Sequence, residues 1–123
     1  MNPNYALKEY EQTENDYVEG IESPHGRILL VYGVILENID KLIEKHPKTD
    51  FISFGKAING LNILANSLDM KNGAELSDQL LELYDYCSRL LKQYLEDKKI
   101  SKLEEVKEII SKLEEGWISI QPK

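Results

Sequence analysis

At 123 residues the chain has room for one domain with one modest core. Its 30% charged and 41% hydrophobic residues argue against a disordered chain, and its net charge of -7 argues against nucleic acid or an anionic membrane surface as a partner. A lone cysteine, Cys87, excludes an internal disulfide framework and a cysteine-based zinc cluster. No apolar run reaches the roughly 18 residues of a membrane span, and no signal segment opens the sequence, so the cytoplasm is the expected compartment.

Residues 1–22 are polar with scattered aromatics, Tyr5, Tyr10 and Tyr17, and read as an arm or a short capping helix. Tyr5, Leu7 and Tyr10 recur at near-helical spacing over a stretch shorter than the roughly 12 residues an independent helix needs in water. The arm must therefore dock on something or fray. Residues 23–123 read as a single four-helix domain. Ser23-Pro24 is an N-cap followed by proline at the first helical position, and His46-Pro47 stops the helix it starts. Thr49 or Asp50 caps a second helix ending near Leu68. Asn72-Gly73 is turn chemistry, and a third helix runs from about Ala74 to Glu96. Asp97-Lys98-Lys99 then leads into a fourth, from about Ser101 to Ile118.

Stepping each helix by 100° per residue gives four apolar stripes. They contain Ile28, Val31, Tyr32, Ile35, Ile39 and Leu42 in the first helix, and Phe51, Phe54, Ile58, Leu61, Ala65 and Leu68 in the second. The third carries Leu76, Leu80, Leu83, Cys87, Leu90, Leu91 and Tyr94, and the fourth Leu103, Val106, Ile110, Leu113 and Trp117. Nothing alternates with a period of two. The expected fold is all-α: an antiparallel four-helix bundle with a short extra N-terminal helix or arm.

Some apolar residues fall outside the stripes. Leu30 and Val34 lie on the back of the first helix, Ile52 and Ile63 on the reverse of the second, and Leu81 well off the stripe of the third. Tyr84 and Tyr86 flank that third stripe on opposite sides, which puts both at its margins, with Asp85 in water. Isolated exposed apolar residues are ordinary. Taken together, these residues also describe a second apolar surface that could receive an amphipathic helix of a partner.

No catalytic constellation is found. His25 falls in a first turn and His46 precedes proline, positions suited to cap and loop roles rather than phosphotransfer or metal binding. Cys87 lies on the core stripe and reads as an inert thiol. The glutamates of the fourth helix solvate its wet face, Gly55 and Gly60 mark close helix approach or a soft spot, and Trp117 caps the core. No cofactor and no metal are expected.

The stretch from Ser67 to Leu90 resembles the FliS family of bacterial flagellin export chaperones. In that family a Leu-Asp-Met-Glu-Lys-Gly-Gly-Glu turn leads into a helix with Leu-Tyr-Asp-Tyr and Arg-Leu. Here Leu68-Asp69-Met70 and Gly73 keep the turn, and Glu75, Leu80, Leu83-Tyr84-Asp85-Tyr86 and Arg89-Leu90 keep the helix. Ser23-Pro24, Tyr32 and the run from Leu103 to Trp117 resemble the family's first and last helices. Gly33-Val34, Gly26, Ala74 and Tyr94-Leu95 depart from its pattern.

The resemblance implies a bundle with an added N-terminal helix. It implies a cytoplasmic, non-enzymatic chaperone that binds the C-terminal segment of flagellin, prevents premature polymerisation and delivers it to the flagellar type III export apparatus. The family's apolar-x-x-Tyr element, here Leu7 to Tyr10, implies a contact with the export gate. The contact or capping positions expected are Leu7, Tyr10, Leu30, Tyr32, Val34, Leu81, Tyr84 and Tyr86. The competing reading is a homodimeric bundle whose spare apolar faces meet each other, and a weak homodimer is also compatible with a chaperone. A phosphotransfer enzyme using His25 or His46 is the third.

Overall fold

The structure is a computed structural model that describes residues 24–68 and 73–120. The expectations for the arm, for the Ser23 cap and for the turn at residues 69–72 fall outside these residues. Four helices follow in order: α1 (Pro24–Lys45), α2 (Phe51–Asn66), α3 (Ala74–Asp97) and α4 (Ile100–Ser119). Among the described residues there is no strand, and no helix is long and apolar enough to cross a membrane.

Each boundary has a local cause. The last turn of α1 closes with the His46 amide donating to the Leu42 carbonyl at 3.0 Å, and Pro47 prevents continuation. Of the two candidate caps for α2, Asp50 is the one used. Its backbone is extended and its carboxylate accepts from the Ser53 amide at 3.1 Å and from the Ser53 hydroxyl at 2.9 Å. α3 ends where Lys98 turns left-handed at φ 55° and donates its amide to the Tyr94 carbonyl. α4 starts at Ile100, with the Lys99 amide held by the Asp97 carboxylate at 3.0 Å.

α1 packs along α2 and α4, and α3 packs along the same two, so the helices form a ring in chain order. Tyr32, Ile35, Ile39 and Leu42 from α1 are buried with Ala57, Leu61 and Leu64 from α2. From the other side come Tyr84, Cys87, Leu91 and Tyr94 of α3 with Leu103, Val106 and Ile110 of α4. Burying one such side chain contributes about 1.5–3 kcal/mol, whereas helix propensities differ by tenths. Stripe packing therefore decides the fold.

The ring is also closed by hydrogen bonds. His25 and Trp117 stack with ring centroids 5.5 Å apart, the Trp117 indole donates to the His25 carbonyl at 3.0 Å, and the His25 Nε2 donates to the Trp117 carbonyl at 2.5 Å. This fastens the start of α1 to the end of α4, so Trp117 caps the core as its position suggests. At the opposite end His46 Nδ1 meets the Tyr94 hydroxyl at 2.5 Å. Both histidines are structural.

Two stripe residues stand apart from the core. Phe51 is 69% exposed and Leu76 is 62% exposed. Each lies in the first turn of its helix.

Candidate functional site

The described residues that the sequence singles out separate into three environments. Tyr32 and Tyr84 are inside the bundle, 1% and 3% exposed, with their hydroxyls 2.8 Å apart. Tyr84 therefore does not sit at the margin of its stripe. The step of roughly 40° between Tyr84 and Leu80 keeps it over the core. Burial first, then the Tyr32 hydroxyl, pushes the Tyr84 phenol well above its ordinary value, and burial likewise raises Tyr32.

Leu30 and Val34 are half-buried on the side of α1 away from its core residues, beside the Glu37–Lys41 ion pair at 3.6 Å. Leu81 is 39% exposed and Tyr86 is 38% exposed on α3. A separation of five residues turns them about 140° apart, so they lie along opposite edges of the helix. Tyr86 occupies the α4 edge, where its hydroxyl donates to both carboxylate oxygens of Glu105, at 3.0 and 2.8 Å. That hydrogen bond, more than any burial, raises the Tyr86 phenol above its ordinary value. Leu7 and Tyr10 lie outside the described residues.

A shallow groove of about 480 Å³ runs along this edge of α3, lined by Gln79, Glu82, Leu83, Asp85, Tyr86 and Arg89. Leu83 and Tyr86 supply its apolar lining. Its rim is charged, with Asp85 and Arg89 paired at 3.3 Å and the Arg89 guanidinium 5.8 Å from the centre of the Tyr86 ring. From the sequence, Leu83 belongs to the core stripe, Asp85 to water and Arg89 to the family signature, while Gln79 and Glu82 carry no signal of their own. The signal was the spacing 79, 82–83, 86 and 89, a second helical face beside the core stripe.

The groove combines an apolar residue, an aromatic ring and charges of both signs. Among the described residues no group of three or more His, Cys, Asp or Glu side chains could hold a metal ion. Cys87 is fully buried, and burial, with the Glu105 charge beside it, pushes its thiol up to about 12, which leaves it unsuited to nucleophilic work.

Fold and surface together define the class: an all-α, antiparallel four-helix bundle with a shallow groove of mixed apolar and charged lining on α3. Comparison with known proteins narrows this. A model of the family described as "Flagellar protein FliS" matches residues 6–123, and the chain belongs to that family. It is 29% identical to the flagellar secretion chaperone FliS of Salmonella typhimurium, covering 96% of this chain and 91% of that one. It is 28% identical to the flagellar secretion chaperone FliSB of Pseudomonas aeruginosa, covering 94% of each.

Proposed function

We propose that this protein is a cytoplasmic export chaperone that holds the C-terminal segment of flagellin and presents it to the flagellar secretion machinery. The observation that carries the reading is the family match from residue 6 to residue 123, together with relatives that bear the name flagellar secretion chaperone. The protein acts by binding rather than by catalysis.

Flagellin's terminal segments are amphipathic and pair with one another in the filament, so an unshielded segment would self-associate in the cell. A chaperone that binds the segment lowers its free concentration by mass action. Ordering a disordered segment costs about 2–5 kcal/mol, which the apolar area covered on binding must exceed. Of the positions singled out, Leu81 and Tyr86 are exposed on α3, and Leu30 and Val34 present part of their surface on α1. These four serve as contacts. Tyr32 and Tyr84 act from beneath, holding the helices that carry the contacts. Leu7 and Tyr10 of the arm cover the apolar surface until cargo arrives and then meet the export gate.

The test is co-purification with flagellin, intact and lacking its C-terminal segment. Retention of the intact protein alone is expected. Equal retention of both, or of neither, would overturn the reading. Tyr86→Ala and Leu81→Asp should each weaken retention without unfolding the bundle. Sizing of the cargo-free chain by light scattering should give a monomer, and a tight dimer would favour the homodimeric alternative.

A further inference from the structure

We infer that Glu105 of α4 is a positioning residue for the α3 groove, holding the Tyr86 ring in the orientation in which the groove receives a bound segment. The identity of that segment rests on the flagellin reading. Four side chains make the arrangement. Glu105 accepts the Tyr86 hydroxyl at both carboxylate oxygens, 3.0 and 2.8 Å away. The Arg89 guanidinium lies 5.8 Å from the centre of the Tyr86 ring, and Asp85 holds Arg89 at 3.3 Å. Of the four, Glu105 alone comes from outside α3 and outside the residues that line the groove.

Both ends of this tether are anchored in the core. Glu105 stands between Leu103 and Val106, and Tyr86 stands next to Cys87, and none of these three neighbours exposes any surface. The backbones are therefore set, and only side-chain torsions remain free. A tyrosine 38% exposed at the edge of a helix has more than one staggered χ1 well open to it. Arg89 and Asp85 do not remove that freedom. Their ion pair is 61% and 66% exposed, and a cation near a ring face attracts it without fixing its far end. The hydrogen bond from the ring's hydroxyl to a carboxylate on the neighbouring helix does fix it.

A ring that is already ordered in the free protein gives up no rotamer freedom when a segment lies against it. The cost avoided for one such side chain corresponds to about two- to tenfold in Kd. The competing role for Glu105 is a fastening of α4 to α3 that serves the fold alone. Water can replace an exposed hydrogen bond of this kind when the chain unfolds, so it adds little to stability. Binding and unfolding measured on the same variants therefore separate the two roles.

The test measures binding of flagellin's C-terminal segment to the full-length protein by calorimetry, with urea unfolding of every variant alongside. Glu105→Ala and Tyr86→Phe should each raise Kd by about two- to tenfold while leaving the unfolding midpoint close to that of wild type. The double variant should be no worse than either single one, because each change breaks the same bond. Glu105→Gln keeps an acceptor oxygen and should bind within about twofold of wild type. Without cargo, NMR couplings at Tyr86 should report one χ1 rotamer in wild type and averaging in Glu105→Ala. The Tyr86 phenol, raised chiefly by Glu105, with Cys87 and Arg89 of its own helix also acting on it, should titrate lower in Glu105→Ala. The assignment is overturned if Glu105→Ala binds as wild type does, if the two losses add, or if Glu105→Gln fails to rescue. It is likewise overturned if lost affinity follows lost stability, if the wild-type ring is already averaged, or if the phenol does not move. A wild type that does not bind the segment strikes the flagellin reading and this assignment with it, whereas binding that is indifferent to Glu105 strikes the assignment alone.

Discussion

The hydroxyls of Tyr32 and Tyr84 meet 2.8 Å apart in the bundle interior, joining α1 to α3, the two helices that each pack along both α2 and α4. Apolar packing fills a ring of four helices but specifies poorly how opposite members are registered. A single polar pair in the middle does, because any slip leaves two buried hydroxyls without partners.

Tyr84→Phe should therefore cost about 1–3 kcal/mol in urea unfolding, since it leaves the Tyr32 hydroxyl buried and unpaired. The double change to Phe at both positions should cost less than the two single changes added together, because no orphan remains. Additive costs would show that the pair carries no coupling. Both phenols have raised pKa values in the fold, so their contribution is complete below the ordinary value near 10 and is lost as pH climbs through the raised ones. Unfolding in alkali should begin above about pH 10, and the double Phe variant should resist it longer.

The glycines of α2 should respond in opposite directions to alanine. A Cβ at Gly60 would lie 2.5 Å from Cγ1 and 3.1 Å from Cδ1 of Ile35, a side chain with no exposed surface into which it could move. At Gly55 a Cβ would meet nothing within 4 Å. Gly55→Ala should stabilise by about 0.5–1 kcal/mol, the helix propensity gain. Gly60→Ala makes the same gain but should be outweighed by about 1–3 kcal/mol of overpacking. Thermal unfolding of the two variants checks the pair, and a stabilising Gly60→Ala would mean that α1 and α2 can move apart freely.

The contrast shows what the sequence carries. Four stripes at helical spacing, a proline stop after His46 and an aspartate three residues before Ser53 are local signals, and the helices follow them closely. The two alternatives left open for the glycines are separated only by which of them faces Ile35, a fact about the neighbouring helix. The same holds for Tyr84 and Phe51. A helical wheel places a side chain around its own axis but not along its neighbour's length, and it puts Phe51 and Leu76 on core stripes although both stand exposed. The spacing of the α3 groove residues is present in the sequence, but nothing local sets them apart from ordinary solvated surface, and the Tyr86–Glu105 bond depends on the neighbouring helix.

Asp50 gives the bundle an acid-sensitive joint. The Ser53 amide, then Lys45 and the Ser53 hydroxyl, hold its carboxyl down at about 2, below its ordinary 3.8. A depressed carboxyl stabilises the fold above its unfolded value and loses that contribution as pH falls through the folded one. The contribution should therefore be complete above about pH 4 and vanish between there and about pH 2. Asp50→Asn keeps a cap but has no charge to lose, so wild type should be the more stable at neutral pH and the two should converge at pH 2. Parallel curves across that range would assign the acid transition to other groups, of which Asp97, depressed by its hydrogen bond to Lys102, is the first to test.

Cys87 offers a readout of opening that needs no introduced label. It is fully buried on α3, and burial holds its thiol at about 12, so at pH 8 the folded chain presents almost no thiolate. Modification must pass through an opened state, with a rate proportional to the population of that state when closing is fast. A disulfide reagent should react promptly in urea and very slowly in buffer, and Tyr84→Phe, which loosens the same helix one turn away, should speed the reaction in buffer. A ligand that binds only the closed bundle should slow it by the factor 1 + [L]/Kd. Adding flagellin's C-terminal segment should therefore protect Cys87 in proportion to occupancy, while Tyr86→Ala should abolish much of that protection at equal segment concentration. Prompt labelling of the native chain, or labelling indifferent to the segment, would mean that α3 opens independently of anything bound along its groove.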